Sequence, residues 1–220
     1  IIKQFHEISG EDEVKPLGQG LINDTFLVEI KVPESANYVL QRINNSIFTD
    51  VDLLQHNIEC VTAHLRRKLA ASGEDDIDRK VLSFVPAKDG KYFYFDGDKY
   101  WRVMVFIPDT VTKSGVTPES SYIVGETFGD FQAMLADIPV TLGETIKDFH
   151  NIEFRLQQLK EAVEADTAGR LAATKYIVDE VMARAENMCR GERLHREGKL
   201  PKRVCHCDTK VDNILSDQND

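Results

Sequence analysis

No run of this chain is long and apolar enough to cross a bilayer, which takes about 20 residues, so no membrane partner is expected. Basic charge is in short supply. Lys and Arg total 27 against 37 Asp and Glu, and the formal net charge of −10 excludes the basic surface that non-specific nucleic-acid binding needs. It does not exclude a nucleotide, because a local basic pocket holds phosphates inside an acidic protein. Cysteine is sparse as well: Cys60, Cys189, Cys205 and Cys207 show no spacing of a disulfide framework. Cys205-His206-Cys207 offers zinc-type ligands, but a structural site needs a second pair at suitable spacing and none is present. A reduced, cytoplasmic protein is expected. No secretory signal is visible, although Ile1 is not a natural start and a trimmed segment is compatible with it. Internal repeats and low-complexity tracts are also lacking.

What is there supports a globular core, with 42% hydrophobic and 29% charged residues. The first half reads as strands with one inserted helix. Residues 14–17 lead into Gly18-Gln19-Gly20, residues 25–31 alternate and are β-rich, and residues 38–43 make a third strand. Val51, Leu54, Ile58, Val61 and Leu65 then recur at helical spacing behind Thr49 or Asp50 as cap, and Gly73 with Glu74-Asp75-Asp76 ends that helix. Strands at 81–85, 92–95 and 100–107 are separated by Asp89-Gly90 and Asp96-Gly97, strong hairpin signals.

After Pro108 the character changes. Residues 109–119 are polar and rich in Thr, Ser, Gly and Pro, and read as a linker. Helices follow. Val124, Phe128, Phe131 and Leu135 mark the first, closed by Pro139. Leu156, Leu159 and Val163 mark the second. Ile177, Val181, Ala185 and Met188 mark the third, with Asp166 or Thr167 as cap. The pattern is an α+β, two-lobe chain: residues 1–108 as a sheet-rich lobe, 109–119 as linker, 120–220 as a helical lobe.

Chemistry concentrates in residues 204–215. His206-Cys207-Asp208 and, five residues past the Asp, Asn213 form the His-x-Asp-x-x-x-x-Asn pattern of a kinase catalytic loop, flanked by short apolar runs. A carboxylate there reaches the hydroxyl that attacks a γ-phosphate, and an amide oxygen one turn later reaches a bridging Mg²⁺. Lys210 can offset charge on the transferring group. The bland alternative is a polar loop between two strands.

These residues, with the segments 18–26, 38–44, Phe128-Gly129-Asp130-Phe131-Gln132, Asp148-Phe149-His150 and His206-Cys207-Asp208-Thr209-Lys210, resemble the aminoglycoside phosphotransferase and choline kinase superfamily, and within it the N-acetylhexosamine 1-kinases. The resemblance implies a protein-kinase-like two-lobe fold and an ATP- and Mg²⁺-dependent kinase of a small hydroxylated metabolite. Its best-matching acceptor is an N-acetylhexosamine. An aminoglycoside, choline, homoserine or another sugar is the alternative, as is a nucleotide-binding pseudokinase. A protein kinase fits poorly, because no activation segment is present.

By position, Asp208 would be the catalytic base and Asn213 a Mg²⁺ ligand. Residues 18–25, with Gly18, Gly20, Asn23 and Thr25, would form the turn over the phosphates, although a Gly-x-Gly turn is also ordinary hairpin structure. The family's phosphate-gripping lysine aligns near Gln41. Arg42 is expected to supply the charge instead, with Glu59 as its orienting carboxylate or else a solvated helix residue. Asp148 and His150 are candidate substrate contacts. The family places a second metal-binding Asp on a strand after the loop. It would lie beyond Asp220, so the chain is read as a fragment whose helical lobe is only partly included.

Overall fold

A computed structural model describes residues 1–6, 8, 12–18, 22–113 and 115–218. They divide into two compact units, one of residues 1–145 with 204–220 and one of residues 146–203.

The first unit is built on an antiparallel sheet. Its strands are β1 (Asp12–Pro16), β2 (Asp24–Ile30) and β3 (Tyr38–Ile43), then β4 (Phe84–Val85), β5 (Tyr94–Phe95) and β6 (Tyr100–Val105), of which β2, β3 and β6 carry several β-branched or aromatic residues each. The order is β1-β2-β3-β6-β4, with β5 paired to the start of β6. Both Asp-Gly pairs make turns, with Gly90 at φ 85° and Gly97 at φ 106°, values a side chain resists. In the second turn the Asp96 carboxylate accepts from the amides of Asp98 and Lys99 and from Trp101 Nε1, which holds its pKa below the usual range.

Register assigns the faces of this sheet. Thr25 pairs with Gln41 and Gln41 with Arg102, while Asp24 pairs with Arg42 and Arg42 with Trp101. Successive side chains point to opposite faces, so the first row lies on one face and the second row on the other. The face of Gln41 receives helix α1 (Val51–Ala71), whose Val51 and Leu54 pack with Ile43, Phe93 and Tyr100. The face of Arg42 is covered by the N-terminal segment, where Phe5 and Ile8 pack on Val28, Tyr38, Leu40 and Val103.

Helix α1 starts where the Asp50 carboxylate accepts from the Leu53 amide at 2.8 Å, a side-chain cap. A short α2 (Ile77–Lys80) follows. The second half of α1 packs Val61, Leu65 and Leu69 against Phe131, Met134 and Leu135, which lie at the end of α3 (Pro118–Met134) and just past it. α3 opens with a Thr117–Ser120 capping box and Pro118 in its first turn. It ends before Pro139, at Met134, whose carbonyl accepts from Lys68 Nζ at 3.1 Å and lies 3.0 Å from His64 Nε2. The segment expected to be a linker holds a strand: β7 (Thr110–Val111) pairs with β8 (Ser216–Asp217). Two residues are too few to show an alternating pattern, and the partner is far downstream.

The second unit holds α4 (Ile152–Ala165), α5 (Leu171–Met188) and α6 (Arg190–Arg196). Asn151 caps α4 through the Glu153 and Phe154 amides, and the Asp166 carboxylate accepts from Arg170 and Leu171 at the start of α5. Arg196 forks onto the Glu153 carboxylate at 2.7 and 2.8 Å. The expected apolar face of α5 is not buried: Ile177 and Met188 stand open. No helix among the described residues is long and apolar enough to cross a membrane.

Candidate active site

Residues 204–215 form a loop anchored at both ends in the first unit. On its near side Val204 joins the cluster of Leu65, Phe131 and Leu135, and the His206 ring lies 5.0 Å from Phe128 and 6.0 Å from Phe131 of α3. On its far side β8 pairs with β7, the Gln218 amide donates to the Asp109 carbonyl, and Arg79 donates to the Pro108 carbonyl (2.8 Å) and the Asp217 carboxylate (3.1 Å). Between the anchors Cys207 adopts φ 66°, and Val211–Asn213 make one 3-10 turn lying against α3.

That turn folds the loop back on itself. Asn213 Nδ2 donates to both the Asp208 carbonyl oxygen and Asp208 Oδ2, each at 2.8 Å, and Lys210 Nζ lies 3.6 Å from the same Oδ2. The Asp208 carboxyl is solvent-exposed and held below the usual aspartate range. The Asn213 hydrogen bond is the main cause; slight desolvation opposes it, and the Lys210 ammonium charge adds to it. Asp208 is therefore an anion at neutral pH, with Oδ1 left to accept a proton. The Cys205 and Cys207 sulfurs are 3.2 Å apart, and desolvation with the neighbouring thiol pushes Cys207 up to about 11, which disfavours its thiolate.

Magnesium prefers hard oxygen ligands and keeps several waters. With the amide nitrogen of Asn213 committed to Asp208, its amide oxygen is the hard ligand this loop could offer such an ion. Among the described residues no three His, Cys, Asp or Glu side chains gather as a metal cage.

The remaining expected residues fall in three places. Gly18 (φ 70°) starts the β1–β2 turn, Asn23 Oδ1 accepts from the Asn44 amide at 2.9 Å, and Thr25 Oγ1 accepts from Gln41 Nε2 at 3.1 Å. Gly20 lies outside the described residues. Arg42 and Glu59 are not brought together. Arg42 points to the face opposite α1, donates to Asp24 Oδ2 at 2.7 Å through Nε and lies over the Trp101 ring. Glu59 sits half-buried on α1 with no ion-pair partner among the described residues, beside an open depression of about 410 Å³ shared with Arg66, Phe84 and Tyr92. The expected pairing fails because β2, β3 and β6 run in continuous register without a bulge, so strand parity puts Gln41, not Arg42, on the α1 side. Asp148 and His150 belong to the second unit, where Asp148 (φ 54°) accepts from Asn151 Nδ2 and His150 packs edge-on to Phe149.

Sequence reasoning passed over Arg102. Its Nε and Nη2 both donate to Gln41 Oε1, at 2.9 and 2.6 Å. The available signal was its place opposite Gln41, legible only once the register of 38–43 against 100–105 is known.

Among solved structures, the chain is similar to a spectinomycin phosphotransferase, APH(9)-Ia, solved in complex with ADP and spectinomycin. The TM-score is 0.50 at 12% identity, over 93% of this chain. The chain spans 59% of the length of that one. At this identity the likeness is one of fold, the kinase-like arrangement of antiparallel sheet and helices. The sequence pattern of the phosphotransferase enzyme family (APH) matches residues 13–220, and the chain belongs to that family.

Proposed function

We propose that the protein carrying this chain is an ATP-dependent kinase of a small hydroxylated metabolite, with Asp208 as general base. The observation that carries the reading is the closed geometry of the loop: one carboxylate oxygen held by Asn213 at 2.8 Å, the other free, and the carboxyl kept ionised. In phosphoryl transfer the protein mainly positions groups and offsets charge. Asp208 Oδ1 orients the acceptor hydroxyl and takes its proton as the oxygen attacks phosphorus. Lys210 stands close enough to offset charge on the transferring group. Asn213 would hold Mg²⁺ through Oδ1, and that ion supplies charge neutralisation on the phosphates. Gly18, Gly20, Asn23 and Thr25 would line the turn over the donor phosphates. The lobe division at 108 and 120 belongs to the same proposal, as does a cytoplasmic location.

For the acceptor we favour an N-acetylhexosamine, phosphorylated at its anomeric hydroxyl. The support is the likeness of residues 18–26, 38–44, 128–132 and 148–150 to kinases of that class. Asp148 and His150 are the side chains offered to it. The test is ADP release from ATP and Mg²⁺ with a panel of N-acetylhexosamines, unmodified hexoses, aminoglycosides, choline and homoserine. Turnover on an N-acetylhexosamine at least tenfold above the rest is expected. Preference for another class would overturn the acceptor alone. ATP binding without transfer to any of them would favour a nucleotide-binding pseudokinase.

A further inference from the structure

We infer that Arg102, on β6, is the cation that binds the phosphate tail of the donor nucleotide. The inference rests on the kinase reading and goes beyond it, to a residue and face it did not use.

The face of the sheet that packs on α1 is organised in rows. Leu27, Val39, Met104 and Phe84 form an apolar row across four strands, as their register requires. The next row along the strands, about 7 Å away, is polar: Thr25, Gln41 and Arg102. Thr25 is the second residue of β2, so the polar row begins at the start of that strand. An apolar row next to a polar one suits a ligand with a flat base at one end and phosphates at the other.

Three further observations single out Arg102 in that row. Its side chain forks onto Gln41 through Nε and Nη2, while Nη1 is fully buried without a hydrogen-bond partner. No carboxylate lies within ion-pair distance of it among the described residues, and desolvation alone pushes its pKa down to about 10, which still leaves it charged at neutral pH. Its partner Gln41 is neutral and passes the contact on to Thr25 Oγ1. The guanidinium lies over the Phe84 ring, 5.7 Å from its centroid, but without a carboxylate counter-ion among the described residues and with Nη1 unspent its burial is costly unless an anion completes it. Phosphate oxygens are its best geometric match, because the planar fork pairs them bidentately. Lys15, which shares this face by register, is already committed to Glu29 at 2.6 Å, and Arg42 is on the other face with Asp24. Gln41 thereby acts as a positioning residue, fixing the plane of the guanidinium from the strand position next to Arg42.

The test measures binding by calorimetry for the intact protein and the variants Arg102→Gln, Arg102→Lys and Arg42→Gln. The probes are a non-hydrolysable ATP analogue with Mg²⁺, and adenosine. Arg102→Gln should weaken the analogue at least tenfold and adenosine less than twofold. Arg102→Lys, which keeps the charge, should recover part of the loss, and Arg42→Gln should change neither probe more than twofold. Wild-type affinity for the analogue in Arg102→Gln would overturn the assignment, as would equal loss of both probes in Arg102→Gln and Arg102→Lys, the mark of a structural role. Failure of the wild-type protein to bind either probe would instead overturn the nucleotide reading on which the assignment depends.

Discussion

Cys207 sits between the aromatic anchor His206 and the proposed base Asp208, at φ 66°. A residue with a Cβ in this left-handed region costs about 1–2 kcal/mol relative to its ordinary conformation. Glycine removes that cost but loses about 0.5–1 kcal/mol to the greater freedom of the unfolded chain. Cys207→Gly should therefore be neutral or stabilising by up to about 1.5 kcal/mol, a rise in Tm of up to about 6 °C for a chain of this size. Its turnover should stay within about threefold of wild type, because the loop path is unchanged. Cys207→Val should behave in the opposite way. A β-branched residue is a poor fit at positive φ, and holding it there costs of order 1–3 kcal/mol, or relaxes by swinging the backbone and Asp208 with it. Displacement of a reacting group by about 1 Å is worth roughly 10² in rate. The assay pairs thermal unfolding with steady-state turnover and ATP-analogue affinity. The Val variant should lose about 100-fold in kcat with nucleotide affinity little changed. Wild-type turnover and Tm in Cys207→Val would refute the argument that this backbone turn aims the carboxylate.

Gln55 of α1 is buried at 2% exposure with neither Nε2 nor Oε1 hydrogen-bonded among the described residues, a burden of about 1–3 kcal/mol; Gln55→Met should raise the unfolding free energy by about 1 kcal/mol or more, read as a higher chemical-denaturation midpoint, and a lower midpoint would contradict the count. The depressed pKa of Asp208 keeps it ionised until the pH falls below the ordinary aspartate value of about 3.9, so kcat/KM should be flat from about pH 5.5 to 8 as far as this group is concerned. Asn213→Ala removes the main cause of the depression and should move the acid limb upward, whereas an unmoved limb would detach it from Asp208.

How much of this was legible beforehand depended on distance along the chain. The His206–Asp208–Asn213 spacing is local, and in the structure the three fall in one loop where the Asn213 amide donates to Asp208 at 2.8 Å. The Asp-Gly turns and the Asp50 cap are local too. The β7–β8 ribbon was not, because it joins Thr110–Val111 to Ser216–Asp217 and neither strand alone has a period to read. The expected pairing of Arg42 with Glu59 fails for a related reason. Charge favours Arg42, but a residue's side of a sheet is fixed by parity, and parity is anchored by packing on both faces. Val51 and Leu54 against Ile43, and Phe5 against Leu40, settle which side is which, and that knowledge turns attention from Arg42 to Arg102.

The central claim is that Asp208 is the base of a phosphoryl transfer. Its most direct test is turnover of Asp208→Asn, measured as ADP release with the best acceptor of the panel, beside binding of an ATP analogue. Asparagine keeps the shape and the contact surface but cannot accept the proton. The account predicts a fall in kcat of roughly 10²–10⁴-fold, the range for loss of a general base, with analogue affinity within about threefold of wild type. An Asp208→Asn enzyme that turns over at the wild-type rate would contradict it.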